Sequence, residues 1–337
     1  MDTIEVFSTY RFSDAQLERL QAISPRLRIR QKFARTEQDL PDDLASVEVM
    51  YLAWGMPSDL KRLPRLRWLQ VQWAGVEFLL DHPVRHSPVI VTTSSGVHAT
   101  PIAEHVFALL LALVRHVPLI LACQAKAEWP RQAWSMFRSP ELRGMTLGIV
   151  GYGSIGREVG RLGATFGMKV LACTRSGQRT PDTGWREPGI GDPDGSIPVA
   201  WYASRQLLAM LPQCDVVVLA APLTHENRGL VGREALAAMK PTAYLINIAR
   251  GALVDQEALA EALQARRIAG AGLDVTEPEP LPSDSPLWRL DNIIISPHVS
   301  AATPEWERRV GELFAENLRR YVAGEPLLNP VDWERGY

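Results

Sequence analysis

Short apolar runs alternate along the chain with amphipathic or polar stretches. In the first hundred residues the runs cover 4–7, 27–31, 49–52, 68–71 and 89–92, and residues 14–23 carry a helical periodicity. Strands alternating with helices predict a parallel sheet. Residues 103–114 are apolar nearly all round, which predicts a helix buried on most faces, whether in a domain core, at a domain junction or at a subunit interface. Pro118 and Pro130 break the pattern, and Trp129 and Trp134 flank a polar loop that ends at Arg143 and Gly144.

A second series begins at Leu147. The run Leu147-Gly148-Ile149-Val150 leads into Gly151-Tyr152-Gly153-Ser154-Ile155-Gly156, and Ile155, Val159, Leu162, Gly163 and Phe166 follow at helical spacing before Gly167. Strand, G-x-G-x-x-G turn and helix in this order read as a dinucleotide grip. Gly151 permits the tight turn, Gly153 lets backbone N–H groups approach a pyrophosphate, and Gly156 lets the helix pack close to its strand. The helix N-terminus then faces the phosphates. Further strands are expected at 169–173, 216–220, 244–248, 269–273 and 293–296, with helices near 207–211, 234–239 and 256–265, the last capped by Asp255. The Pro-, Gly- and Asp-rich stretch reaching Pro198 reads as an exposed insertion. A last helix starts at Thr303-Pro304 and carries Val310, Leu313, Phe314, Leu318 and Tyr321 on one stripe.

With 337 residues the chain exceeds what a single core usually organises, so two domains are expected. A formal net charge of −2 leaves no basic field for nucleic acid and favours small-molecule chemistry. The three cysteines are widely spaced and lack a C-x-x-C, which points to neither a disulfide framework nor a metal site and fits a reducing cytoplasm. Charged residues at Asp2, Glu5, Arg11 and Asp14 interrupt any signal-peptide core. The apolar run 106–114 stops at Arg115 and His116, too short to span a bilayer. A cytoplasmic protein without membrane or nucleic-acid partners is the expectation.

Three segments place reactive side chains at expected strand ends: Asn247-Ile248-Ala249-Arg250-Gly251, Asp274-Val275-Thr276-Glu277-Pro278-Glu279-Pro280, and Pro297-His298. Hydride transfer between a nicotinamide and a carbonyl needs a proton donor or acceptor that works near neutral pH, a role for His298. Glu279 is an acidic partner that would hold the ring's orientation, and Arg250 a planar cation for a substrate carboxylate or carbonyl. Trp54-Gly55 and Trp73-Ala74-Gly75-Val76 follow strand candidates in the first half, where open α/β sheets place their ligands.

Taken in order, Trp73-Ala74-Gly75-Val76, Thr100-Pro101-Ile102-Ala103-Glu104-His105, the Gly151 to Gly156 turn, Asp215-Val216-Val217-Val218 with Pro222-Leu223-Thr224, Ile246-Asn247-Ile248-Ala249-Arg250-Gly251, Gly272-Leu273-Asp274-Val275 with Glu279-Pro280, and Pro297-His298 resemble the D-isomer-specific 2-hydroxyacid dehydrogenases. The resemblance covers nearly the whole chain. It implies an α/β fold of two doubly wound parallel-sheet domains: a discontinuous, flavodoxin-like substrate domain of residues 1–97 and 299–337, and a Rossmann nucleotide-binding domain of residues 98–298. It implies Arg250, Glu279 and His298 as catalytic residues. Trp54, Gly55, Ala74, Gly75 and Val76, with Arg250 and His298, would bind substrate, the Gly75–Val76 amides holding its carboxylate. The cofactor would lie along Gly151, Tyr152, Gly153, Ser154, Ile155, Gly156, Thr174, Arg175, Ser176, Ala221, Pro222, Asn227, Ile248, Ala249 and Asp274, the last at the nicotinamide amide. A homodimer joined through the nucleotide-binding domain is implied too, with the helix at 103–114 in the interface.

The sequence departs from the NAD pattern at one place. An Asp or Glu usually ends the second strand, about 20 residues past the glycines, and bonds the ribose 2′-OH. Thr174 and Arg175 stand there instead. Without a carboxylate to repel a 2′-phosphate, and with Arg175, together with Ser176 or Arg179, to bind one, NADP(H) is expected over NAD(H). Within the family this resembles the NADPH-dependent glyoxylate or hydroxypyruvate reductases, which makes a small 2-oxo acid the expected substrate and Trp54 and Trp134 candidates for the pocket. The alternatives are an NAD-dependent D-2-hydroxyacid, formate or phosphonate dehydrogenase, or a non-catalytic dinucleotide sensor on the same fold.

Overall fold

Each apolar run of the first hundred residues forms a strand in the computed structural model, which describes residues 3–334. β1 (Ile4–Ser8), β2 (Leu27–Gln31), β3 (Val49–Leu52), β4 (Trp68–Val71) and β5 (Ile90–Thr92) pair in parallel in the order β2-β1-β3-β4-β5, the flavodoxin-like arrangement. β3 and β4 are buried at every position, so they read as unbroken apolar runs. Of the helices expected between these strands, only α1 (Asp14–Gln21) is a full one. Ser13 and Gln16 close a capping box at its start. The later crossovers are short 3₁₀ turns, in a stretch where Pro41, Pro57, Pro64 and Pro83 recur too often for a helix to grow.

The second sheet has seven parallel strands. Its elements in chain order are α2 (Ala99–Val114), α3 (Val117–Ala125), α4 (Ala133–Met136), β6 (Thr146–Val150), α5 (Ser154–Thr165), β7 (Lys169–Thr174), β8 (Ala200–Ala203), α6 (Leu207–Met210), β9 (Val216–Leu219), α7 (Arg233–Ala238), β10 (Tyr244–Asn247), α8 (Gln256–Gln264), β11 (Gly270–Leu273) and β12 (Ile293–Ile295). The order β12-β11-β10-β9-β6-β7-β8 puts the topological switch between β6 and β9, at the end of the glycine-turn strand. α9 (Trp306–Ala323) closes the chain's fold by packing on the first sheet, where Phe314 and Leu318 join Phe12, Tyr51 and Trp68, and Asn317 donates to Gln70 Oε1 at 3.1 Å.

Two units result. One contains the described parts of Met1–Val97, Thr183–Glu187 and Thr303–Tyr337; the other contains His98–Asp182 and Pro188–Ala302. The expected junction after Val97 coincides with a unit boundary, whereas the expected junction after His298 lies before the observed one, at Ala302 and Thr303. Residues 1–2 and 335–337 of the expected substrate domain lie outside the described residues.

The stretch expected as an exposed insertion is anchored at several points. Asp192 is buried and accepts from Tyr152 Oη at 2.9 Å and from the Ser196 and Ile197 amides. Buried Arg157 of α5 donates to the carbonyls of Asp192 at 2.6 Å and Thr180 at 2.7 Å. Residues 183–187 cluster with the first unit. There Trp185 N donates to Asn329 Oδ1 at 3.0 Å, and Glu187 pairs with Arg308 and Arg309. The composition of a loop was legible, but these long-range polar anchors carry no local signal.

α2 is buried as expected, though by its own unit. Val106, Phe107, Leu110 and Leu113 pack among Leu147, Ile149, Val218 and Ile246. The exposed apolar surface follows it. α3 has no buried residue, Leu119, Ile120 and Leu121 face outward, and Trp129 and Trp134 are 93% and 95% exposed. Pro118, expected to break the pattern, instead stands in the first turn of α3, a position where its missing N–H is unneeded. Among the described residues no single helix is long and apolar enough to cross a membrane.

Candidate active site

The glycine turn after β6 has the form its sequence requires. Gly151 adopts a φ of +94°, and a Cβ there would stand 2.4 Å from the Ala221 amide nitrogen. A Cβ on Gly156 would stand 2.1 Å from the Gly151 carbonyl oxygen, so the first turn of α5 closes on the loop only without a side chain. Gly153 differs: a Cβ there would meet nothing within 4 Å. No side chain caps α5 at Gly153, so the open space lies against uncapped N–H groups. That combination fits a pyrophosphate. The Tyr152 side chain turns inward to Asp192, leaving only its backbone for the turn.

β7 ends beside this turn, with Cys173 O accepting from Gly151 N at 2.8 Å. Thr174 Oγ1 accepts from Gly177 N at 3.1 Å and Ser176 Oγ accepts from Gln178 N at 3.2 Å, so both shape the bend. Arg175 between them is exposed and has no hydrogen-bond or salt-bridge partner among the described residues. Ala221 and Pro222 follow β9. Asn227 commits both ends of its amide to that loop, donating to Pro222 O and accepting from Thr224 N, each at 2.7 Å.

Arg250, Asp274 and His298 stand just beyond the ends of the neighbouring strands β10, β11 and β12. Asn247, fully buried, shapes the first of these ends: its Nδ2 donates to Arg250 O at 2.9 Å and its Oδ1 accepts from Ala249 N at 3.1 Å. Ile248 and Ala249 are buried within that turn. Arg250 Nη1 donates to Ala249 O at 2.8 Å.

Glu279 and His298 meet. Glu279 Oε1 accepts from Thr276 N at 3.1 Å, and Oε2 stands 2.9 Å from His298 Nδ1. A carboxylate only accepts, so Nδ1 carries the proton of this contact. His298 Nε2 has no partner among the described residues, and the side chain is half exposed. The result is an oriented imidazole with one free nitrogen.

Asp274 is 1% exposed. Its Oδ1 accepts from Ser296 Oγ at 2.6 Å and Val299 N at 3.0 Å, and its Oδ2 accepts from Ser300 N at 3.0 Å. Burial pushes the carboxyl up, but these hydrogen bonds from Ser296, Ser300 and Val299 outweigh it and hold Asp274 below the usual Asp range. His105 of α2 approaches Ser296 Oγ with Nε2 at 2.9 Å. His105 and Ser296 drew no role from sequence because each acts on a residue brought near only by the sheet, whereas Asn247 and Thr276 act within three positions, through backbone contacts that residue type alone does not announce.

The other expected substrate residues belong to the first unit. Trp54 is partly exposed and lies edge-on to Trp73, with ring centroids 5.4 Å apart. Gly55 has a φ of +71° against Thr36. Ala74 is exposed, a Cβ on Gly75 would meet the Glu77 carboxylate, and Val76 is fully buried, so only its backbone is available to a ligand. Among the described residues no group of His, Cys, Asp or Glu could hold a metal ion.

Residues 107–300 match the family described as D-isomer specific 2-hydroxyacid dehydrogenase, NAD binding domain. The chain belongs to this family. The matched span runs from within α2 through the glycine turn to Ser300, just past His298, and this family of dehydrogenases makes the protein an NAD(P)-dependent oxidoreductase. Among its relatives, a glyoxylate reductase of Pyrococcus furiosus is 38% identical over 268 residues, 78% of this chain and 74% of that one. A D-isomer specific 2-hydroxyacid dehydrogenase of Xanthobacter autotrophicus Py2, solved with NADPH and MES, is 30% identical and superposes over the full length of both chains with a TM-score of 0.79. A family protein from Aeromonas salmonicida subsp. salmonicida A449 is 32% identical, covers 98% of this chain and 99% of its own, and has a TM-score of 0.75.

Proposed function

We propose that this dehydrogenase is an NADPH-dependent reductase of small 2-oxo acids such as glyoxylate and hydroxypyruvate, forming the 2-hydroxy acids, of D configuration where C2 is a stereocentre. The observation that carries the reading is the Glu279–His298 pair, which leaves His298 Nε2 without a partner among the described residues at the end of β12, on the same sheet edge as Arg250 two strands away at the end of β10. The name of the Pyrococcus furiosus relative supports the substrate class.

When bound along the glycine turn, NADPH would be the source of the hydride that reduces the keto carbon. Protonated His298 donates from Nε2 to the carbonyl oxygen, and Glu279 steadies the imidazolium through Nδ1. Arg250 holds the 2-oxo acid by charge-assisted hydrogen bonds and stabilises the developing alkoxide. In the oxidising direction His298 Nε2 takes the hydroxyl proton. The Gly75 and Val76 amides bind the carboxylate, with Trp54, Gly55 and Ala74 beside them. The Gly151 to Gly156 turn holds the pyrophosphate, and Thr174, Arg175 and Ser176 take the 2′-phosphate. Ala221, Pro222, Asn227, Ile248, Ala249 and Asp274 shape the remaining cofactor wall.

The test is a panel of glyoxylate, hydroxypyruvate, pyruvate, phenylpyruvate, formate and phosphite, each with NADPH and NADH or their oxidised forms, followed at 340 nm. Turnover of glyoxylate or hydroxypyruvate with a higher kcat/KM for NADPH is expected. Turnover confined to formate, phosphite or NADH overturns the assignment, and none with any of them returns the protein to the sensor class.

The exposed apolar residues of α3 and the nearly bare Trp129 and Trp134 support a homodimer through the nucleotide-binding half. Sedimentation equilibrium at twice the chain mass is expected, with a shift to monomer in Leu121→Glu. The unpaired, buried thiols of Cys173 and Cys214 fit a cytoplasmic location.

A further inference from the structure

His298 sits in a strained turn. Its φ is 55°, in the left-handed region that a non-glycine residue enters at a cost of roughly 1–2 kcal/mol. Such a conformation persists only where the surroundings over-determine it. Here one residue supplies most of the hold. The Asp274 carbonyl accepts from His298 N at 2.8 Å, while the Asp274 carboxylate takes Ser296 Oγ, Val299 N and Ser300 N. The turn on both sides of His298 therefore hangs on Asp274.

The carboxylate is itself held from behind. Ser296 has one hydroxyl proton, and at 2.6 Å from an acceptor-only carboxylate that proton points at Asp274 Oδ1. The 2.9 Å contact of Ser296 Oγ with His105 Nε2 must then run the other way, with Nε2–H donating. His105 Nε2 lies 3.6 Å from Asp274 Oδ1. A directed chain follows, from His105 Nε2–H to Ser296 Oγ–H to the Asp274 carboxylate. α2 presents His105 from a fixed place, because Gly272 has no Cβ and Leu109 packs against β11 in the space it leaves.

We propose that His105 and Ser296 are positioning residues that act through Asp274 to hold the left-handed turn of His298, and with it the contact between Nδ1 and Glu279. Neither touches substrate. The inference rests on the reductase reading for its kinetic consequence and on the apoprotein alone for its structural one.

The test uses His105→Leu, His105→Gln, Ser296→Ala and the double variant His105→Leu/Ser296→Ala, all in the full chain. His105→Leu and Ser296→Ala should each lower kcat for 2-oxo acid reduction by about tenfold, roughly 1.4 kcal/mol, with KM for NADPH and oxo acid changed by less than about twofold. The double variant should fall no further than Ser296→Ala alone, since residues in one hydrogen-bonded chain are not additive. His105→Gln, whose amide keeps a donor at comparable reach, should recover most of the loss. A packing role predicts the reverse, with Leu tolerated as well as Gln.

Without cofactor, the Val299 and Ser300 amides should exchange with solvent about tenfold faster in Ser296→Ala and His105→Leu than in the parent, as expected when local opening becomes easier. Unchanged exchange in Ser296→Ala, or independent multiplication of the two kinetic losses, overturns the proposal. If His105→Leu does not fold, Ser296→Ala and His105→Gln still decide it. If the parent reduces no 2-oxo acid, the function falls while the exchange comparison still judges the relay.

Discussion

Glu279 holds His298 by one oxygen while its other oxygen is fixed by the Thr276 amide. The carboxylate thus cannot rotate without losing a backbone hydrogen bond, and the ring it faces inherits that rigidity.

A glutamine at 279 should be a poor substitute. The Thr276 N–H requires the amide oxygen at Oε1, which turns the NH₂ toward His298 Nδ1 and forces the proton onto Nε2. The base needed for hydroxy acid oxidation is then blocked. Glu279→Gln should lose about 10²- to 10⁴-fold in oxidation kcat, near the loss for His298→Ala, with the fold intact by circular dichroism. Oxidation within a factor of a few of the parent would remove the pair from the mechanism.

Arg175 stands exposed beside the glycine turn, with no partner among the described residues. Arg175→Ala should raise KM for NADPH by about tenfold to a hundredfold, the worth of a hydrogen bond to a charged group at roughly 1.5–3 kcal/mol, and leave KM for NADH nearly unchanged. Equal effects on both cofactors would place the guanidinium away from the 2′-phosphate.

The depressed carboxyl of Asp274 ties stability to pH. A group held below its unfolded value stabilises the fold above that value, near 3.9 for Asp, and loses the contribution as pH falls through its folded value. Asp274→Asn should therefore lower the melting temperature at pH 7, and the gap to the parent should shrink below about pH 4. A gap constant from pH 7 to pH 3 would show that the charge contributes nothing.

Burial pushes the thiols of Cys173 and Cys214 up to about 11 and about 12. At pH 8 both should resist iodoacetamide in the native protein and react once it is unfolded in urea, as mass spectrometry of the labelled peptides would register. Native labelling of Cys214 would mean that the strand ends near β9 open readily.

The sheets were legible in sequence because a buried parallel strand is an uninterrupted apolar run, as in β3, β4 and β9. The glycine turn was legible because the close approach of Gly156 to Gly151 and the left-handed φ of Gly151 are local demands, although the approach of Gly151 to Ala221 is not. β8 was not foreseen: Ala200 to Tyr202 are only half buried at a sheet edge and follow a proline-rich stretch. α3 was hidden by Pro118, which reads as a stop until its place in the first turn is seen. Of the candidate site, Arg250, Glu279 and His298 stand out as reactive residues at strand ends. Ser296 and His105 do not, because 191 positions separate the two and only the packing of α2 on the sheet joins them.

The small segment 183–187 decides how the molecule can be divided. A fragment cut at Val97 and Ala302 to isolate the nucleotide-binding half would carry Trp185 and Glu187 away from Gly96, Asn329, Arg308 and Arg309. An indole and a carboxylate would lose their seats, and the anchors on Arg157 and Asp192 would border a loosened loop. The minimal cofactor-binding piece therefore requires a shortened insertion joined from Asp182 to Pro188, inside the loop that the hydrogen bond from Asp182 N to Pro193 O closes.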